Sequence, residues 1–304
     1  MAFQGGLFTF YTLTPLHAGS GDAADIIDLP VQREKHTQYP EVYSSSLKGS
    51  LRYYYECRFG KGDVANGIFG KEGDEGAAGG VVFTDAKVLF FPVRSSEGVF
   101  KWITCQFVLD RLKRDIGFLN EPFPVDLLNS SAQSDTNGLS FDGGDERVVL
   151  FEDFPIKVKS GGSVEIFKRF MDPALDTNTL KERLVIVSNS VFKTLVTTAT
   201  QVIARNVLKD ETKISENLWY EEVVPADSVF YTMMMEPYRP KPLDDASGGT
   251  GDNESHWLET LTGKIRDEII QLGGNETVGY GFVKMHSVDL AAQTTGGENA
   301  TTGS

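Results

Sequence analysis

The spacing of apolar residues divides the first sixty residues into a strand, a loop and a helix. Residues 6–14 alternate between two sets of β-favouring side chains up to Pro15, which predicts a strand. Residues 15–42 contain glycines and prolines but no helical period, so we expect a long loop of the kind that carries function. An apolar stripe at helical spacing follows the serines 44–46 and predicts a helix that ends near Arg58.

The same patterns predict the rest of the secondary structure. Residues 201–223 form two β-rich arms around the polar turn 209–212, which predicts a hairpin. Residues 102–109 suit either a strand or the start of a helix that runs through Lys113. The remaining expected elements are strands at 81–93, 148–158, 229–236 and 282–290 and helices at 189–199 and 255–272.

This order of elements predicts an α+β protein. A strand, a helix and further strands at the start, with a helix and a strand at the end, suit an open antiparallel sheet of the ferredoxin-like kind, with helices on one face. Residues 120–146 are rich in Asn, Ser, Asp and Gly and are expected to be an irregular insertion. With a flexible connection at 240–254 and a disordered tail at 291–304, one domain covers residues 1–290.

Composition narrows the class of protein. The 304 residues are 40% hydrophobic, which lies in the globular range and excludes a wholly disordered chain. No run of about 18 apolar residues occurs, so we expect no membrane-spanning helix. The N-terminus lacks the basic region and cleavage site of a signal peptide. Cys57 and Cys105 form neither a disulfide framework nor a metal knuckle, which favours reduced thiols in a cytoplasmic protein.

The net charge of −14 argues against a nucleic-acid partner, because phosphate binding draws on Lys and Arg. The charge is unevenly distributed, however. Residues 31–61 contain six Lys and Arg against three Asp and Glu, and residues 168–209 contain seven against three. Two basic stretches on an acidic body could serve a binding site, and they could equally be solvated faces.

Seven strings, in chain order, resemble one known family. They are LTPLHAGSG, IIDLPVQREKHT, SSSLKGSLR, IFGKEG, FTDAKVLFFPVRS, LWYEEVVPADSVFY and GGNETVGYGFVKM. Each string alone is weakly specific, but the ordered set covers nearly the whole domain. The chain resembles the RAMP superfamily and, more narrowly, the multi-copy backbone subunit of type III-B (Cmr) CRISPR effector complexes. The insertion and the tail carry the least resemblance.

The resemblance implies a fold shaped like a right hand and an RNA-guided activity. It implies a ferredoxin-like (RRM-like) palm at about 1–60, 80–118 and 228–290, inserted fingers at about 119–147, and a β-hairpin thumb at about 201–228. Copies of such a subunit stack along a guide RNA and cut complementary target RNA with Mg²⁺ or Mn²⁺. The expected partners are therefore guide RNA, target RNA, further copies of the chain and other Cmr subunits, with no membrane.

The resemblance also implies roles for particular residues. The cleaving aspartate falls on Asp28, and His17 matches a residue near the family's active site. Lys48 and Arg52 fall on the helix that grips the guide. Glu221 is a further active-site position, although the adjacent Glu222 could face the cut instead.

The chemistry of RNA cleavage bears on Asp28. Metal-assisted cleavage needs a carboxylate near the scissile phosphate, and Asp22 and Asp25 lie close to Asp28 in the sequence. An ordinary aspartate has a pKa of about 3.9, too low to deprotonate a ribose 2′-hydroxyl efficiently at neutral pH. We therefore expect Asp28 to be a metal ligand or orienting group, with 2′,3′-cyclic phosphate and 5′-hydroxyl products. The alternatives are plain solvation of Asp28 and a hydrogen-bonded structural role for His17.

Two further groups of residues are candidates for contact with the guide. Ser44, Ser46 and Lys48 have the features of a phosphate seat, namely helix N-terminal amides, hydroxyl donors and one ammonium. Ordinary N-capping is the alternative for these serines. Gly279 and Gly281 allow close approach of RNA, or they simply form a helix C-cap and turn.

The expected hairpin carries an apolar arm. Val202, Ile203 and Val207 could wedge between nucleotides and leave a kinked backbone that aligns the reacting atoms. A hairpin packed on its own core is the alternative.

Three functions fit these residues. The first is an RNA-guided endoribonuclease subunit, the second a structural RNA-binding backbone subunit that does not cut, and the third a single-copy enzyme that processes the precursor guide. Asp28 on a loop favours the first function. The four histidines are scattered through the sequence, which gives little support to the third.

Overall fold

The computed structural model describes residues 4–21, 27–71, 76–119, 137–209, 211–212, 215–237 and 256–290. They form an α+β fold with one large mixed sheet and a separate two-stranded hairpin. The strands are β1 Gly5–Thr12, β2 Glu41–Val42, β3 Val82–Phe83, β4 Ala86–Arg94, β5 Phe100–Cys105, β6 Asn137–Ser140, β7 Arg147–Phe151, β8 Phe154–Ser160, β9 Leu184–Val187, β10 Gln201–Leu208, β11 Ser215–Val223, β12 Val229–Met235, β13 Ile269–Gln271 and β14 Phe282–Ser287. The helices are α1 Ser44–Phe59, α2 Asp63–Phe69, α3 Gln106–Phe118, α4 Glu165–Lys168, α5 Thr177–Arg183, α6 Asn189–Thr198 and α7 Trp257–Ile265, with a 3₁₀ turn at Glu276–Val278.

The main sheet is mixed and not wholly antiparallel. Its strands lie in the order β13-β14-β1-β12-β4-β5-β9-β6-β8-β7, with β2 paired to β4 and β3 paired to β12. The pairs β5–β9 and β6–β8 are parallel. The prediction of an antiparallel sheet is therefore wrong for this half of the sheet, because long crossovers return the chain to the same end, as parallel neighbours require.

The four strands β14, β1, β12 and β4 form an antiparallel group around β1. In sequence, α1 lies between β1 and β4, and α7 lies between β12 and β14. Phe10 of β1 is flanked in register by Phe230 and Met285, and all three side chains are fully buried. The rings of Phe10 and Phe230 stack with centroids 5.1 Å apart. This burial explains why the alternating pattern near the N-terminus gives a central strand.

Helix α1 confirms the helix predicted after the serine run. It extends from Ser44 to Phe59 and buries the apolar stripe Leu47, Leu51 and Tyr55. The stripe faces β3 and β13, so the polar side of the helix is left for other contacts.

Several other predicted elements are confirmed. Strands β10 and β11 form the hairpin expected at residues 201–223, paired from Gln201↔Val223 to Leu208↔Ser215. Strand β12 enters the main sheet between β1 and β4. Both alternatives for residues 102–109 hold in part, because β5 ends at Cys105 and α3 begins at the next residue.

The helix predicted at residues 255–272 is wrong at its C-terminal end. Helix α7 stops at Ile265, and Asp267 adopts a positive φ of 60°, which an α-helix does not accommodate. Residues 269–271 instead pair with β14 as β13. The apolar spacing was that of a helix only by coincidence, because two consecutive isoleucines also suit a strand at the sheet edge.

The insertion predicted at residues 120–146 is also wrong in part. Residues 137–140 form β6, which pairs with β8 and β9. Residues 120–136, the connection 240–254 and the tail 291–304 lie outside the described residues. Within the described ranges, no helix is long and apolar enough to cross a membrane.

Candidate active site

The loop after β1 runs along the base of the β10–β11 hairpin. Leu16 forms an antiparallel bridge with Val224, and Leu29 forms a parallel bridge with Glu221. The N–H of Leu29 donates to the carbonyl of Tyr220 at 3.1 Å. Both ends of this loop are therefore fixed to β11 and to the residue that follows it.

Asp28 lies at the edge of this contact. Its Oδ2 accepts a hydrogen bond from the backbone N–H of Tyr220 at 2.7 Å, and the side chain is partly exposed. Within the described residues, Oδ1 accepts no hydrogen bond. The structure thus orients the carboxylate through one oxygen and leaves the other open to solvent or to a ligand.

Glu221 joins three parts of the chain. Its side chain is only 2% exposed, and its Oε2 accepts a hydrogen bond from Nε of Arg205 on β10 at 2.9 Å. Its Oε1 accepts from the side-chain amide of Asn275 and lies 3.6 Å from Nδ1 of His17. A buried carboxylate needs partners for its charge, and the guanidinium and amide provide them.

The adjacent Glu222 holds the loop instead. Its Oε2 accepts from the backbone N–H of Val31 at 3.0 Å, and its Oε1 accepts from Arg33 and from Thr200 Oγ1, the latter at 2.6 Å. Glu222 is also buried. Of the two carboxylates, that of Glu221 is the one that lies beside the ring of His17.

His17 is buried at the centre of this cluster. Its Nδ1 lies 2.8 Å from the backbone carbonyl of Glu222, and a carbonyl only accepts, so Nδ1 carries the proton and Nε2 of the neutral ring does not. A Cβ atom on Gly19 would lie 2.8 Å from Nε2, and one on Gly274 would lie 3.6 Å from Cδ2. His17 therefore has the hydrogen bond expected of a structural histidine and also lies beside Glu221.

The start of α1 is tied to the loop and to the residue before β4. The N-cap residue Tyr43 makes no side-chain capping hydrogen bond. The N–H of Ser44 donates to Asp85 Oδ1 at 2.7 Å, and Ser46 Oγ accepts from Gln32 Nε2 at 3.1 Å. Neither serine caps the helix from the N-cap position, and a carboxylate already lies at the amide of its first residue.

Lys48 and Arg52 lie one turn apart on α1 but differ in their contacts. Lys48 is partly buried and makes no hydrogen bond or ion pair within the part of the chain that the structure describes. Arg52 donates from Nε to Glu56 at 2.7 Å and from Nη1 to the carbonyl of Gly70 at 3.3 Å. The Lys48 ammonium is thus available to a ligand, whereas Arg52 also connects α1 to the end of α2.

The two candidate glycines, Gly279 and Gly281, differ in how much space surrounds them. Gly281 has a φ of 77°, and a Cβ there would lie 1.9 Å from the carbonyl oxygen of Leu272, so the turn itself requires glycine. Gly279 has a φ of 83°, and no atom lies within 4 Å of its would-be Cβ. The turn interpretation accounts for Gly281, while Gly279 borders open space.

The β10–β11 hairpin has no core of its own along its outer part. Val202 is 50% exposed and Val207 is 44% exposed, and Leu218 and Tyr220 are exposed as well. Ile203 is partly buried. The described part of the hairpin therefore presents apolar side chains to solvent, and the wedge between nucleotides stays a prediction.

The described residues contain no group of three or more His, Cys, Asp and Glu side chains arranged to hold a metal ion. Asp28 supplies one carboxylate, and Asp22 and Asp25 lie outside the described residues. Mg²⁺ at phosphate-processing sites is commonly held by one or two carboxylates together with water and substrate phosphates. Asp28 fits such an ion, provided that the RNA supplies further oxygens.

Three residues that contact this cluster, Arg205, Asn275 and Tyr280, were not predicted from the sequence. The guanidinium carbon of Arg205 lies 5.1 Å from the ring centroid of Tyr280, and Asn275 has a φ of 63°, a conformation that asparagine tolerates. The turn GGNET was a usable signal for Asn275. No local pattern distinguished Arg205 from the other basic residues.

Fold and site together define an α+β protein in which a β-hairpin and a glycine-rich turn enclose a cluster of His, Asp, Glu and Arg. The family model of the RAMP superfamily matches residues 9–284, and the chain belongs to this superfamily.

Among curated proteins, the chain is similar to the CRISPR system Cmr endoribonuclease Cmr4 of Pyrococcus furiosus. The two are 36% identical over 292 residues, which cover 92% of this chain and 94% of the relative. The crystal structure of oligomeric Cmr4 from the same organism has a TM-score of 0.73 and 31% identity, covering 95% of this chain and 100% of that chain. A chain of the type III-B Cmr-beta complex bound to cognate target RNA shares the fold, with a TM-score of 0.73, 21% identity and coverage of 95% and 99%.

Proposed function

We propose that this chain is a multi-copy backbone subunit of a type III-B (Cmr) CRISPR effector complex, and that it binds guide RNA and cleaves complementary target RNA endonucleolytically. The observation that carries the proposal lies at the base of an exposed apolar hairpin, where Asp28 binds the backbone N–H of Tyr220 and the carboxylate of the next residue, Glu221, lies 3.6 Å from His17. The name of the Pyrococcus furiosus relative, an endoribonuclease, supports the same reaction class.

The hand-like architecture belongs to the same proposal. The strands β14, β1, β12 and β4, with α1 and α7 between them in sequence, would be the ferredoxin-like palm, and the strand order of a βαββαβ unit supports this. The β10–β11 hairpin would be the thumb, and β6–β8 would belong to the inserted fingers. Exposed Val202 and Val207 support a thumb that wedges between nucleotides, because unstacking leaves a kinked backbone in which the 2′-oxygen can align with the phosphate.

Each residue of the cluster has a role that its contacts suggest. Asp28 would hold Mg²⁺ or Mn²⁺ through Oδ1, and the ion would supply charge stabilisation at the scissile phosphate. His17 forms one wall of the site, with Nε2 unprotonated in the neutral ring. Glu221 is buried and acts through the groups that it holds. The products would be a 2′,3′-cyclic phosphate and a 5′-hydroxyl.

Helix α1 and the glycine-rich turn would bind the guide. Lys48 supports this because its ammonium makes no hydrogen bond or ion pair within the described residues. Ser44, Ser46 and Gly279 lie at positions from which hydroxyls and an open turn could meet phosphates. Arg52 would have to share its guanidinium with Glu56 in order to join them.

The partners in this proposal are guide RNA, target RNA, further copies of the chain and other Cmr subunits. The oligomeric crystal structure of the Pyrococcus furiosus relative supports assembly of copies. A cytoplasmic location stays a prediction.

The test reconstitutes the complex with guide and labelled target RNA, with Mg²⁺, Mn²⁺ or chelator. We expect Asp28→Ala to lower the cleavage rate by about 100-fold or more while assembly is intact, and chelator to abolish cleavage by the wild type. Asp153→Ala is the matched control, because Asp153 is an exposed carboxylate away from the cluster.

Each other outcome points to a different role. Undiminished cleavage by Asp28→Ala in an intact complex would refute the assignment of Asp28. Loss of guide binding would make Asp28 a structural residue. A wild-type complex that assembles but cuts with neither metal would be a structural, non-catalytic backbone subunit.

A further inference from the structure

Arg205 is the cation of the cluster around Glu221. In the hairpin register, Arg205 lies opposite Trp219, so its side chain reaches diagonally along β11 to Glu221. Nε donates to Glu221 Oε2 at 2.9 Å, and the guanidinium carbon lies 5.1 Å from the ring centroid of Tyr280. The guanidinium is therefore held by a carboxylate and an aromatic ring at once.

A second observation shows that stability alone does not explain this arrangement. The Nη2 atom of Arg205 is buried and has no hydrogen-bond partner among the described residues. An unpaired buried donor is unfavourable and calls for an explanation such as a functional constraint. The guanidinium is thus held beside Glu221 although its Nη2 atom is buried without a hydrogen-bond partner among the described residues.

We propose that Arg205 is a positioning residue of the cleavage site and that it acts through Glu221. This inference rests on the proposed function. Oε2 of Glu221 is neutralised by Arg205, and this leaves Oε1 to hold the Asn275 amide and to face His17 at 3.6 Å. Without the guanidinium, a carboxylate that is only 2% exposed would lose its counter-charge and would have to move or recruit other partners.

The same contacts connect the hairpin to the palm side of the site. Strands β10 and β11 form a sheet of their own, separate from the main sheet. Arg205 on β10 contacts Tyr280, and Glu221 on β11 contacts Asn275, both in the turn before β14. We therefore expect a displacement of the hairpin to move this turn, and with it the surroundings of His17.

The test compares wild type, Arg205→Ala, Arg205→Lys and Arg266→Ala in the complete complex. Arg266→Ala is the matched control, because it removes the same side chain at an exposed position outside both the hairpin and the cluster. We expect Arg205→Ala to lower the single-turnover rate at saturating target RNA by about 10-fold to 100-fold. Target affinity should change by less than about twofold, and lysine should restore part of the rate because it keeps the charge.

Other results would overturn the positioning role. A rate for Arg205→Ala equal to that of the wild type would do so. Arg205 would be a phosphate ligand instead if Arg205→Ala bound target RNA more weakly and the slope of log K against log salt concentration became smaller by roughly 0.7. A lower rate accompanied by a lower melting temperature, with no rescue by lysine, would make its role structural.

A second measurement does not depend on cleavage. NMR of the isolated chain with ¹⁵N-labelled histidine gives signals for its four histidines, and His17→Gln identifies those of His17. We expect Arg205→Ala to shift the ring signals of His17 and Arg266→Ala to leave them unchanged. Unchanged His17 signals in Arg205→Ala would overturn the inference. A wild-type complex that does not cut would refute the proposed function, and the spectrum would still decide the role of Arg205.

Discussion

Glu221 and Glu222 are neighbours on β11, yet their carboxylates hold different parts of the chain. Successive side chains of a strand point to opposite faces, so Glu221 meets Arg205 and Asn275 while Glu222 meets Arg33 and Val31. Removing one partner of a buried ion pair commonly costs about 3–5 kcal/mol. At the scale of single residues, the two buried carboxylates are thus each held by different segments of the chain.

Gly19→Ala tests whether the packing of His17 matters. The new Cβ would lie 2.8 Å from Nε2 of His17, whose ring is also held through Nδ1 by the carbonyl of Glu222. We expect the variant to lose about 1–3 kcal/mol of stability and most of its cleavage activity, measured by denaturant unfolding and by cleavage in the complex. Gly117→Ala on α3 is the control, because its Cβ would meet no atom and the helix should gain stability. Equal behaviour of the two variants would contradict the prediction.

Glu41→Gln tests a pH dependence of stability. Burial, followed by the charges of Glu34 and Asp85, raises the pKa of Glu41 from 4.5 to about 7. A carboxyl with a raised folded pKa favours folding below about pH 4.5, and this contribution is lost as the pH rises through about 7. The stability advantage of Glu41→Gln over wild type should therefore grow by roughly 1–2 kcal/mol between pH 5 and pH 8, after allowance for partial exposure.

Urea unfolding of the isolated chain at both pH values measures this difference. Glu146→Gln is the control, because Glu146 lies on the surface with half of its side chain exposed, and its substitution should show no such trend. An advantage of Glu41→Gln that is constant with pH would mean that Glu41 titrates normally.

At the scale of elements, α1 has an N-terminal turn held by hydrogen bonds and a lysine, Lys48, without a partner among the described residues. Gln32 and Asp85 hold its first turn, Arg52 holds its middle against α2, and Lys48 lies between them without a partner in the described residues. The apolar stripe fixes which side of the helix faces the sheet. The orientation of Lys48 follows from that burial.

Lys48→Ala tests this division of roles. We expect folding stability to be unchanged within about 0.5 kcal/mol, because the ammonium makes no described contact. Guide binding should weaken for all guide sequences alike. The slope of log K against log salt concentration should become smaller by roughly 0.7. Filter binding over a salt series measures both, with Lys181→Ala on α5 as control. A sequence-selective loss would contradict a phosphate contact.

At the scale of the whole molecule, the main sheet brings together residues that are far apart in sequence. Strand β1 lies between β12 and β14, which places the loop containing His17 beside both the β10–β11 hairpin and the turn at Asn275. Among the described carboxylates of the site, Glu221 and Glu222 use both oxygens in hydrogen bonds, whereas Asp28 uses only Oδ2. A metal ion bound by Asp28, as proposed, would take its remaining ligands from water and RNA.

The isolated chain should accordingly be almost inactive on free target RNA. Cleavage should appear only when guide and the other subunits are added, because the guide holds the target strand in place. Titrating these components against a labelled target measures the dependence. Comparable cleavage by the chain alone would show that assembly is not required.

The sequence by itself determined the elements whose patterns are local. Alternation predicts β1, the apolar stripe predicts α1, and two arms around a polar turn predict β10 and β11. Together with the resemblance it also drew attention to Asp28, His17 and Glu221. These signals depend on residue type and spacing within one segment, which is why they could be recognised without coordinates.

The tertiary structure alone decided what depends on distant partners. It made part of the sheet parallel, turned residues 269–271 from a predicted helix into a strand, and separated Glu221 from Glu222 by their contacts. It also brought Arg205 to Glu221 and Tyr280, which no local pattern indicates. The physical reason is common to all of them, since strand pairing and buried ion pairs are set by segments that meet only in the folded chain.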